Sequence, residues 1–372
     1  MSEALAVTHL TSVHSRCDTR IFLKQCSSLA AAGYDVTLVV ADGLGDDKRQ
    51  NVQIVDIGRP AGRLGRMIGS TRRILKKAIE IDADLYHFHD PELLPAGYAL
   101  KRRGKKVIYD AHEDVPGDIL SKAYIPSLLR WPVAACAGLY ERSTALNLDH
   151  VVTATSAIRD RLTRLGISAT AICNFPLRDE LHASAPTTKG REVCYVGGLA
   201  TARGIRELVQ AMELSSSRAR LNLAGSFAEA RLESDVKAMP GWKNVNELGF
   251  LSRLQIRETL GNSVAGVVTL RPTHAYLNSL PIKMFEYMSA GLPVIASDFP
   301  LWREIIEGND CGICVDPLDP RAIAAAIDRL IENPDMARQM GKNGRRAVEE
   351  RYNWAVEEKK LLALYEKLLR KT

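Results

Sequence analysis

The chain has 372 residues, more than one compact domain usually contains, and this length predicts two domains. Hydrophobic residues make up 46% and charged residues 25%, which is close to globular averages and excludes a disordered or fibrous chain. The net charge of +6 does not require nucleic acid as a partner, and the apolar runs are too short for a membrane-spanning helix.

The first half of the chain predicts a parallel α/β sheet. Two short apolar strands, at 5–10 and 35–41, are separated by a helical pattern over 21–32, which makes a βαβ unit. Further strands are predicted at 52–57, 85–89, 106–111, 151–155 and 169–173, and helices at 65–81, 93–103, 127–146 and 156–165. This alternation is typical of a doubly wound, Rossmann-like domain, here over residues 1–175.

The second half repeats the pattern. After a segment at 176–189 that is typical of a linker, alternating strands and helices from 192 onward predict a second Rossmann-like domain over 176–352. The amphipathic segment 353–372 lies beyond what the second sheet needs, and we expect it to return as a helix to the first domain. Two such sheets direct their strand carboxyl ends toward a shared cleft, where ligands bind.

A glycine pair follows the first strand of the second domain. Gly197 and Gly198 lead into a short loop, and Arg203 directly precedes a predicted helix. Glycine lets the backbone approach a ligand closely, and a helix start beside a guanidinium attracts a diphosphate. The alternative is an ordinary glycine turn with a surface arginine.

A second informative stretch is Leu280-Pro-Ile-Lys-Met-Phe-Glu. Pro281 fits the first helical position, Lys283 lies in the first turn, where a phosphate docks, and Glu286 follows on a nearby face. The ammonium would neutralise a diphosphate, and the carboxylate would accept hydrogen bonds from vicinal hydroxyls such as those of ribose. An ion pair between Lys283 and Glu286 is the alternative.

Together these stretches resemble the donor site of glycosyltransferase family 4, the group 1 glycosyltransferases, which are retaining enzymes of the GT-B fold. The resemblance extends over essentially the whole chain and implies two Rossmann-like domains facing each other across a cleft. It implies that loop 197–204 and segment 279–297 bind a nucleoside diphosphate. Arg203 and Lys283 resemble the phosphate-binding pair of the family, and Glu286 resembles its ribose-binding glutamate.

The sequence departs from the family pattern at two positions. Asn278 stands where relatives often have a glutamate that contacts the donor sugar, and Gly198 replaces a cationic residue. We therefore expect backbone N–H groups near Ser279 and Leu280 to compensate for the missing cation. Base contacts are expected near Phe250 and Leu251.

The resemblance also implies a reacting centre in the first domain. His112 resembles the cleft histidine of the family, which lies close to the donor sugar, so we expect it to be catalytic together with Arg203 and Lys283. Glu113 and Asp114 beside it are candidate acceptor contacts.

The polar loop after the first strand supplies further candidates. His14, Asp18 and Arg20 are candidate acceptor contacts, although Asp18 is equally suited to cap a helix that starts near Thr19.

His87 and His89 lie on one face of a predicted strand and are compatible with a metal site. The sequence shows no further ligand cluster beside them, and GT-B relatives need no catalytic metal, so we expect neither a metal nor a cofactor. Asp90 or Glu92 would cap the following helix or contact the acceptor.

The resemblance implies metal-independent hexosyl transfer with retention, from a nucleoside diphosphate sugar to a saccharide hydroxyl. A UDP-sugar is the expected donor, and the acceptor is expected to be lipid-linked, in cell-surface polysaccharide biosynthesis. The alternatives are a GDP-sugar transferase of the mannosyl or fucosyl type, a GT-B sugar-nucleotide epimerase and a non-catalytic nucleotide-sugar binder.

The start of the chain lacks a targeting pattern, and its seven cysteines, an odd number, are typical of reduced thiols, so we expect a cytosolic protein. The single pair Cys311 and Cys314 has too few companions for a zinc site. Two basic segments, Arg59–Lys77 and Lys101–Lys106, are compatible with peripheral contact to anionic lipid at the inner face of the cell membrane. A solvated helix face is the alternative for both.

Overall fold

The structure is a computed structural model, and it describes residues 4–60, 62, 65–122, 125–178, 181 and 190–370, with backbone alone at 66–68 and 121. The chain divides into two compact units. The first comprises Met1–Asn174 with Val356–Thr372, and the second comprises Phe175–Ala355.

The first unit contains an eight-stranded sheet with the order β3-β4-β2-β1-β5-β6-β7-β8. Its strands are β1 (Ala6–Leu10), β2 (Asp35–Val40), β3 (Asp47–Arg49), β4 (Val52–Asp56), β5 (Leu85–Phe88), β6 (Lys106–Ala111), β7 (His150–Thr153) and β8 (Ala169–Ala171). The prediction of a wholly parallel sheet is wrong at one edge, where β3 pairs with β4 in antiparallel register. The turn residues Gln50 and Asn51 both have positive φ, as a tight hairpin turn requires, and the polar β3 lacks a strand-like hydrophobic pattern.

Helices of the first unit cover the sheet. They are α1 (Ser27–Ala31), which continues a helical turn at Ile21–Cys26, then α2 (Thr71–Ile81), α3 (Leu94–Lys101), α4 (Val115–Ser121), α5 (Ser127–Ala145) and α6 (Ser156–Arg164). Ile74 of α2, Leu100 of α3, Ala145 of α5 and Leu162 of α6 are buried in one core cluster with residues of β5, β6 and β7. These four helices therefore lie on the same face of the sheet.

The second unit contains a six-stranded sheet with the order β11-β10-β9-β12-β13-β14, and all its described pairs are parallel. Its strands are β9 (Glu192–Val196), β10 (Arg220–Ala224), β11 (Val245–Gly249), β12 (Ala265–Val268), β13 (Val294–Ser297) and β14 (Gly312–Val315). Its helices are α7 (Ile205–Leu214), α8 (Ala230–Lys237), α9 (Arg253–Gly261), α10 (His274–Leu277), α11 (Ile282–Ser289), α12 (Pro300–Ile306), α13 (Pro320–Glu332) and α14 (Pro334–Glu350).

The last helix, α15 (Trp354–Leu369), belongs to the first unit from Val356 onward. Leu361 and Tyr365 are fully buried, and the Tyr365 hydroxyl lies 2.7 Å from Nδ1 of His87 in β5. This helix covers the sheet face opposite to the one that carries α2, α3, α5 and α6, because His87 and its neighbour Phe88 point to opposite sides of the strand.

The strand order changes direction once in each sheet, between β1 and β5 in the first unit and between β9 and β12 in the second. Loops that leave two such neighbouring strands diverge to opposite faces and open a crevice at the carboxyl edge. Each unit therefore has one topologically defined position for a ligand.

Candidate functional site

The crevice of the second unit is formed by the loops after β9 and β12. These loops are in direct contact, since the Arg271 amide donates to the Ala202 carbonyl at 3.0 Å. Gly204 has a φ of 69°, and a Cβ at this position would lie 2.0 Å from the Thr269 carbonyl oxygen. Only glycine allows this approach, which fixes Arg203 beside the start of α7.

Lys283 occupies the centre of this crevice. Its side chain is buried, with 7% exposure, and its ammonium has no hydrogen-bond partner among the residues that the structure describes. The Nζ atom lies 3.7 Å from the centroid of the Tyr195 ring. A Cβ at Gly197 would lie 2.8 Å from Nζ, so the glycine leaves the space that the lysine needs.

The electrostatics of the crevice favour an anion. Burial and the charge of Arg203 lower the pKa of Lys283 well below its ordinary value. The half-buried guanidinium of Arg203 lies 3.5 Å from the Cβ position of Gly197, on the same side as the ammonium. Two cations that repel each other in a partly dry site are both stabilised when an anion binds between them.

The start of α11 adds backbone donors to this site. Pro281 is the N-cap and Ile282 the first helical residue, so the predicted position of Pro281 is wrong by one residue. The first N–H groups of a helix lack intrahelical acceptors, and those of Ile282 and Lys283 are therefore available as anion donors. The Ser279 amide donates to the Tyr276 carbonyl at 3.1 Å, because α10 ends there, and this corrects the expectation that it would serve a ligand.

Glu286 does not form the alternative ion pair with Lys283. Its side chain is buried, and Oε1 lies 2.8 Å from Nη1 of Arg253 at the start of α9. The carboxylate is thus fixed within the second unit, one helical turn from the lysine.

An exposed aromatic ring lies at the carboxyl end of β11. Phe250 has 88% of its surface exposed, and Leu251 beside it is partly exposed. Asn278 and Leu280 follow α10 and are also accessible. A ring of this kind at a strand carboxyl end can stack on a planar ligand.

In the crevice of the first unit, hydrogen bonds join the loops after β1 and β5. Asp90 accepts from the Thr11 hydroxyl at 2.9 Å and from the Ser12 amide at 2.5 Å. Its side chain makes no cap bond to the helical turn that follows, so the predicted capping role of Asp90 is wrong. The carboxylate instead holds the loop that carries His14.

His14 and His112 lie next to each other, with ring centroids 5.1 Å apart. His14 contacts Asp18 at 3.5 Å and Asp90 at 3.4 Å. Burial lowers the pKa of His14, but the hydrogen bond that it donates to Asp18 and the charge of Asp90 outweigh this effect and raise the pKa overall. Asp18 also accepts hydrogen bonds from the amides of Arg20 and Ile21, at 2.8 and 2.9 Å. It therefore both begins the helical turn and orients the His14 ring.

Arg20 is inside the unit. Its guanidinium donates to both oxygens of Asp110, at 3.0 and 2.7 Å, and to the Ile172 carbonyl at 2.7 Å. The predicted acceptor contact by Arg20 is thereby corrected to a structural role. Asp114 lies 3.0 Å from Arg161, whereas Glu113 is exposed.

The expectation that no ligand cluster lies near His87 and His89 is wrong, because the neighbouring strands bring His9, Asp110 and His112 to them. The groups His9, His87, His89 and His89, Asp110, His112 each have ligand atoms within 4.8 Å of one another, and imidazole and carboxylate are zinc ligands. The same atoms are hydrogen-bonded to each other: His9 Nδ1 lies 2.9 Å from His89 Nε2, and His112 Nε2 lies 3.2 Å from Asp110. Metal independence therefore stays a prediction.

The charge states of this cluster follow from its burial. Burial lowers the pKa of His89 to about 3 and lowers that of His9 and His87 well below the ordinary value. Burial alone would raise the pKa of Asp110, but Arg20 and the hydrogen bonds of His112 and His89 hold it well below its usual range. Asp110 is thus a carboxylate that fixes His112.

Two family profiles match the chain in succession. The profile described as Glycosyltransferase Family 4 matches residues 19–175, and the profile described as Glycosyl transferases group 1 matches residues 178–347. The chain belongs to glycosyltransferase family 4. The crevice of the second unit lies within the matched residues, whereas the loop that carries His14 and Asp18 in the first unit precedes them.

A curated relative matches most of the glycosyltransferase. The phosphatidyl-myo-inositol mannosyltransferase of Mycobacterium leprae is 24% identical over 311 residues, which cover 79% of this chain and 76% of the relative. Two further curated relatives, 26% and 29% identical, are matched over only 39% and 41% of their own length.

Solved structures show that the glycosyltransferase has the GT-B fold, with two Rossmann-like domains. The sucrose-phosphate synthase of Thermosynechococcus elongatus superposes with a TM-score of 0.81 at 18% identity, covering 98% of this chain and 99% of that one. The Anabaena protein HepE in complex with UDP-glucose superposes with a TM-score of 0.74 at 16% identity, covering 98% and 100%.

Several residues of the two sites were not predicted from the sequence. Arg253 had a weak signal, since Ser252 and Gln255 form a capping box that places it in the first turn of α9. Asp110 had a stronger one, because a carboxylate within a buried apolar strand needs partners. Nothing in the local pattern indicates that Tyr365 meets His9 and His87.

Proposed function

We propose that this protein is a retaining glycosyltransferase that moves a hexosyl group from a nucleoside diphosphate sugar to a saccharide hydroxyl. The observation that carries the proposal is the buried ammonium of Lys283, at the start of α11. It has no hydrogen-bond partner among the described residues, and it lies near the guanidinium of Arg203. A diphosphate supplies the charge that this arrangement needs, and its oxygens match the backbone donors of the helix start.

The proposed chemistry is front-face attack at the anomeric carbon. The acceptor oxygen forms the new bond to that carbon while the bond to the diphosphate oxygen breaks, and the departing phosphate oxygen takes the acceptor proton. Arg203 and Lys283 stabilise the charge that develops on the leaving diphosphate, which is a transition-state interaction. His112, whose Nε2 is held by Asp110, forms a hydrogen bond to a sugar hydroxyl through its other ring nitrogen and positions the carbon. The step requires no metal or cofactor.

UDP is the proposed nucleotide of the donor. HepE, a structural neighbour, is described in complex with UDP-glucose. Phe250 would stack on the base, with Leu251 beside it, and Glu286 would accept from the ribose hydroxyls. Asn278 would contact the sugar through its amide. A GDP-sugar is the second candidate, since the relative from Mycobacterium leprae is a mannosyltransferase by name.

The proposed acceptor is a lipid-linked saccharide in cell-surface polysaccharide or glycolipid synthesis. The name of the Mycobacterium leprae relative includes a phosphatidyl-myo-inositol group, which supports a lipid acceptor. His14, Asp18 and Glu113 line the first unit's crevice or its edge and are the proposed acceptor contacts. We place the enzyme in the cytosol, at the inner face of the membrane.

The two predicted basic segments contribute unequally to such a location. In Lys101–Lys106, the ammonium groups of Lys101 and Lys105 lie 2.7 and 2.8 Å from Asp149 and Asp82, so much of that charge is already paired. In Arg59–Lys77, Arg63 lies outside the described residues and the side chain of Arg66 is not described, whereas Arg72, Arg73 and Lys76 are exposed on α2. The proposed basic contact is therefore α2.

The decisive experiment measures transfer and donor hydrolysis for Lys283→Ala. We expect turnover to fall at least about a hundredfold, as the loss of one transition-state donor does, while circular dichroism stays unchanged. The exposed Lys342→Ala is the matched control and should keep full turnover. Near-normal turnover of Lys283→Ala would contradict the proposal. Nucleotide binding without transfer or hydrolysis in the wild type would favour a non-catalytic binder.

The donor is identified by a thermal-shift screen with UDP, GDP and ADP and their sugars. A ligand at 100 times its dissociation constant adds about 2.7 kcal/mol to the free energy of unfolding, which separates the bases clearly. Equal shifts from all three diphosphates would argue against base recognition near Phe250.

A further inference from the structure

Helix α5 presents an apolar face to solvent. Leu128, Trp131 and Leu139 have 90%, 73% and 66% of their surface exposed, and Leu129, Val133 and Tyr140 are exposed as well. The stretch between Arg130 and Glu141 contains no charged residue. We call the six exposed side chains the α5 apolar face.

The polarity of α5 is inverted relative to an ordinary surface helix. Ala134, Thr144 and Ala145 face the unit together with Glu141, whose carboxylate is buried and accepts from Arg161 at 2.8 Å. A helix on a globular protein normally turns its apolar stripe inward and its charges outward. A contiguous exposed apolar face of this kind marks a surface that binds a membrane or another molecule.

The surroundings of this face are basic and aromatic. Helices α2 and α3 lie on the same side of the sheet as α5, so their outward surfaces point the same way. α2 exposes Arg72, Arg73 and Lys76 there, and α3 exposes Tyr98. Arg142 adds a further exposed cation near the end of α5.

This combination favours anionic lipid over a second copy of the chain. A symmetric pairing through α5 would bring the basic side chains of α2 in two copies toward the same interface, where like charges repel. An anionic bilayer attracts those cations, takes up the leucines and accommodates Trp131 and Tyr140 at the headgroup level. In the described part of the chain, no helix has the length and apolar character that crossing a bilayer demands.

We propose that the α5 apolar face lies in the headgroup and acyl-chain boundary of an anionic membrane, with α5 parallel to the surface and α2 supplying phosphate contacts. Helices that bind in this way combine an inserted apolar side with basic flanks. The inference rests on the proposed function only in that a lipid-linked acceptor gives the docking a purpose.

The test is flotation of the full chain with vesicles of phosphatidylcholine containing 30% phosphatidylglycerol, at low salt. The triple variant Leu128→Ser, Trp131→Ser, Leu139→Ser should partition at least about tenfold more weakly, because each residue loses apolar area that the bilayer would bury. Leu44→Ser is the matched control, since Leu44 is 73% exposed in the same unit, and it should bind like the wild type. Arg72→Gln with Arg73→Gln should weaken binding to anionic vesicles and reduce its salt dependence.

Three results would overturn the proposal: no flotation of the wild type, equal flotation of the triple variant, or a wild-type dimer that the triple variant converts to monomer without a change in flotation. The UDP thermal shift and donor hydrolysis, measured without lipid, should be the same for the wild type and the triple variant. Loss of those readouts in the wild type would contradict the proposed function and leave the flotation result standing.

Discussion

At the scale of single residues, Lys283 is held where its charge is disfavoured. Its pKa is lowered in the folded state, so at neutral pH the unfolded chain binds the proton more readily than the folded protein does. The ammonium therefore reduces the free energy of unfolding as long as no anion is bound. A site of this kind lowers the stability of the unliganded protein and favours ligand binding.

Replacing Lys283 with methionine should separate the two effects. Lys283→Met removes the charge and keeps a side chain that packs well against the Tyr195 ring, so the unliganded protein should gain about 1 kcal/mol or more. The same variant should lose the stabilisation by UDP. Urea unfolding with and without UDP measures both, with Lys342→Met as the control, and a less stable unliganded Lys283→Met would contradict the prediction.

The buried histidines predict loss of stability in acid. His9, His87 and His89 stay neutral in the folded protein, His89 down to about pH 3, whereas unfolded histidines take up protons below about pH 6.5. The unfolded state thus binds more protons as the pH falls, and each histidine lowers the free energy of unfolding by up to about 1.4 kcal/mol per pH unit. His150, with a pKa that burial lowers to about 4, acts in the same direction.

Urea unfolding at pH 7.5, 6 and 5 tests this. His89→Gln should reduce the slope of stability against pH by the contribution of one histidine, whatever its effect on stability at pH 7.5. An unchanged slope in His89→Gln would show that the folded cluster takes up protons and would refute the prediction.

At the scale of elements, the two glycines after β9 differ in the room that each leaves for a side chain. Gly197 has a φ of 132°, and a Cβ there would lie 2.8 Å from the Lys283 ammonium. A Cβ at Gly198 would lie 3.7 Å from Arg203, an ordinary contact. The two neighbouring glycines thus have different roles.

Gly197→Ala should therefore weaken UDP binding about tenfold or more by displacing Lys283 and straining the loop. Gly198→Ala is the matched control and should bind UDP within about threefold of the wild type, since nothing near it has to move. Isothermal titration calorimetry with UDP measures the affinity of both variants. Equal losses of affinity would mean that any side chain in this loop disturbs the site, and would contradict the prediction.

Sequence patterns predicted the strands and helices that bring Gly197, Arg203 and Lys283 together, because each follows an apolar strand or begins a helix. Contacts between distant elements were not predictable in this way. The pairing of Glu286 with Arg253 joins two helices, and the contact of Tyr365 with His87 spans 278 positions in the chain. Periodicity assigns a residue to a face, but its partner on another element depends on packing.

At the scale of the whole molecule, each unit has its own sheet and core, and α15 completes the core of the first unit. Tyr365→Ala removes a fully buried ring together with its hydrogen bonds to His87 and His9, and should cost the first unit about 3–5 kcal/mol. Leu330→Ala creates a cavity in the core of the second unit and should cost about 2–5 kcal/mol there.

Calorimetry of the full chain should show these losses in different transitions. UDP should raise the transition that Leu330→Ala lowers and leave unshifted the one that Tyr365→Ala lowers, because the residues of the diphosphate site all belong to the second unit. If UDP instead raised the transition lowered by Tyr365→Ala, the nucleotide would bind through the first unit, and the assignment of Lys283 and Arg203 to the diphosphate would fail. The comparison thus tests the nucleotide site from its thermodynamic linkage to one core, without requiring an acceptor.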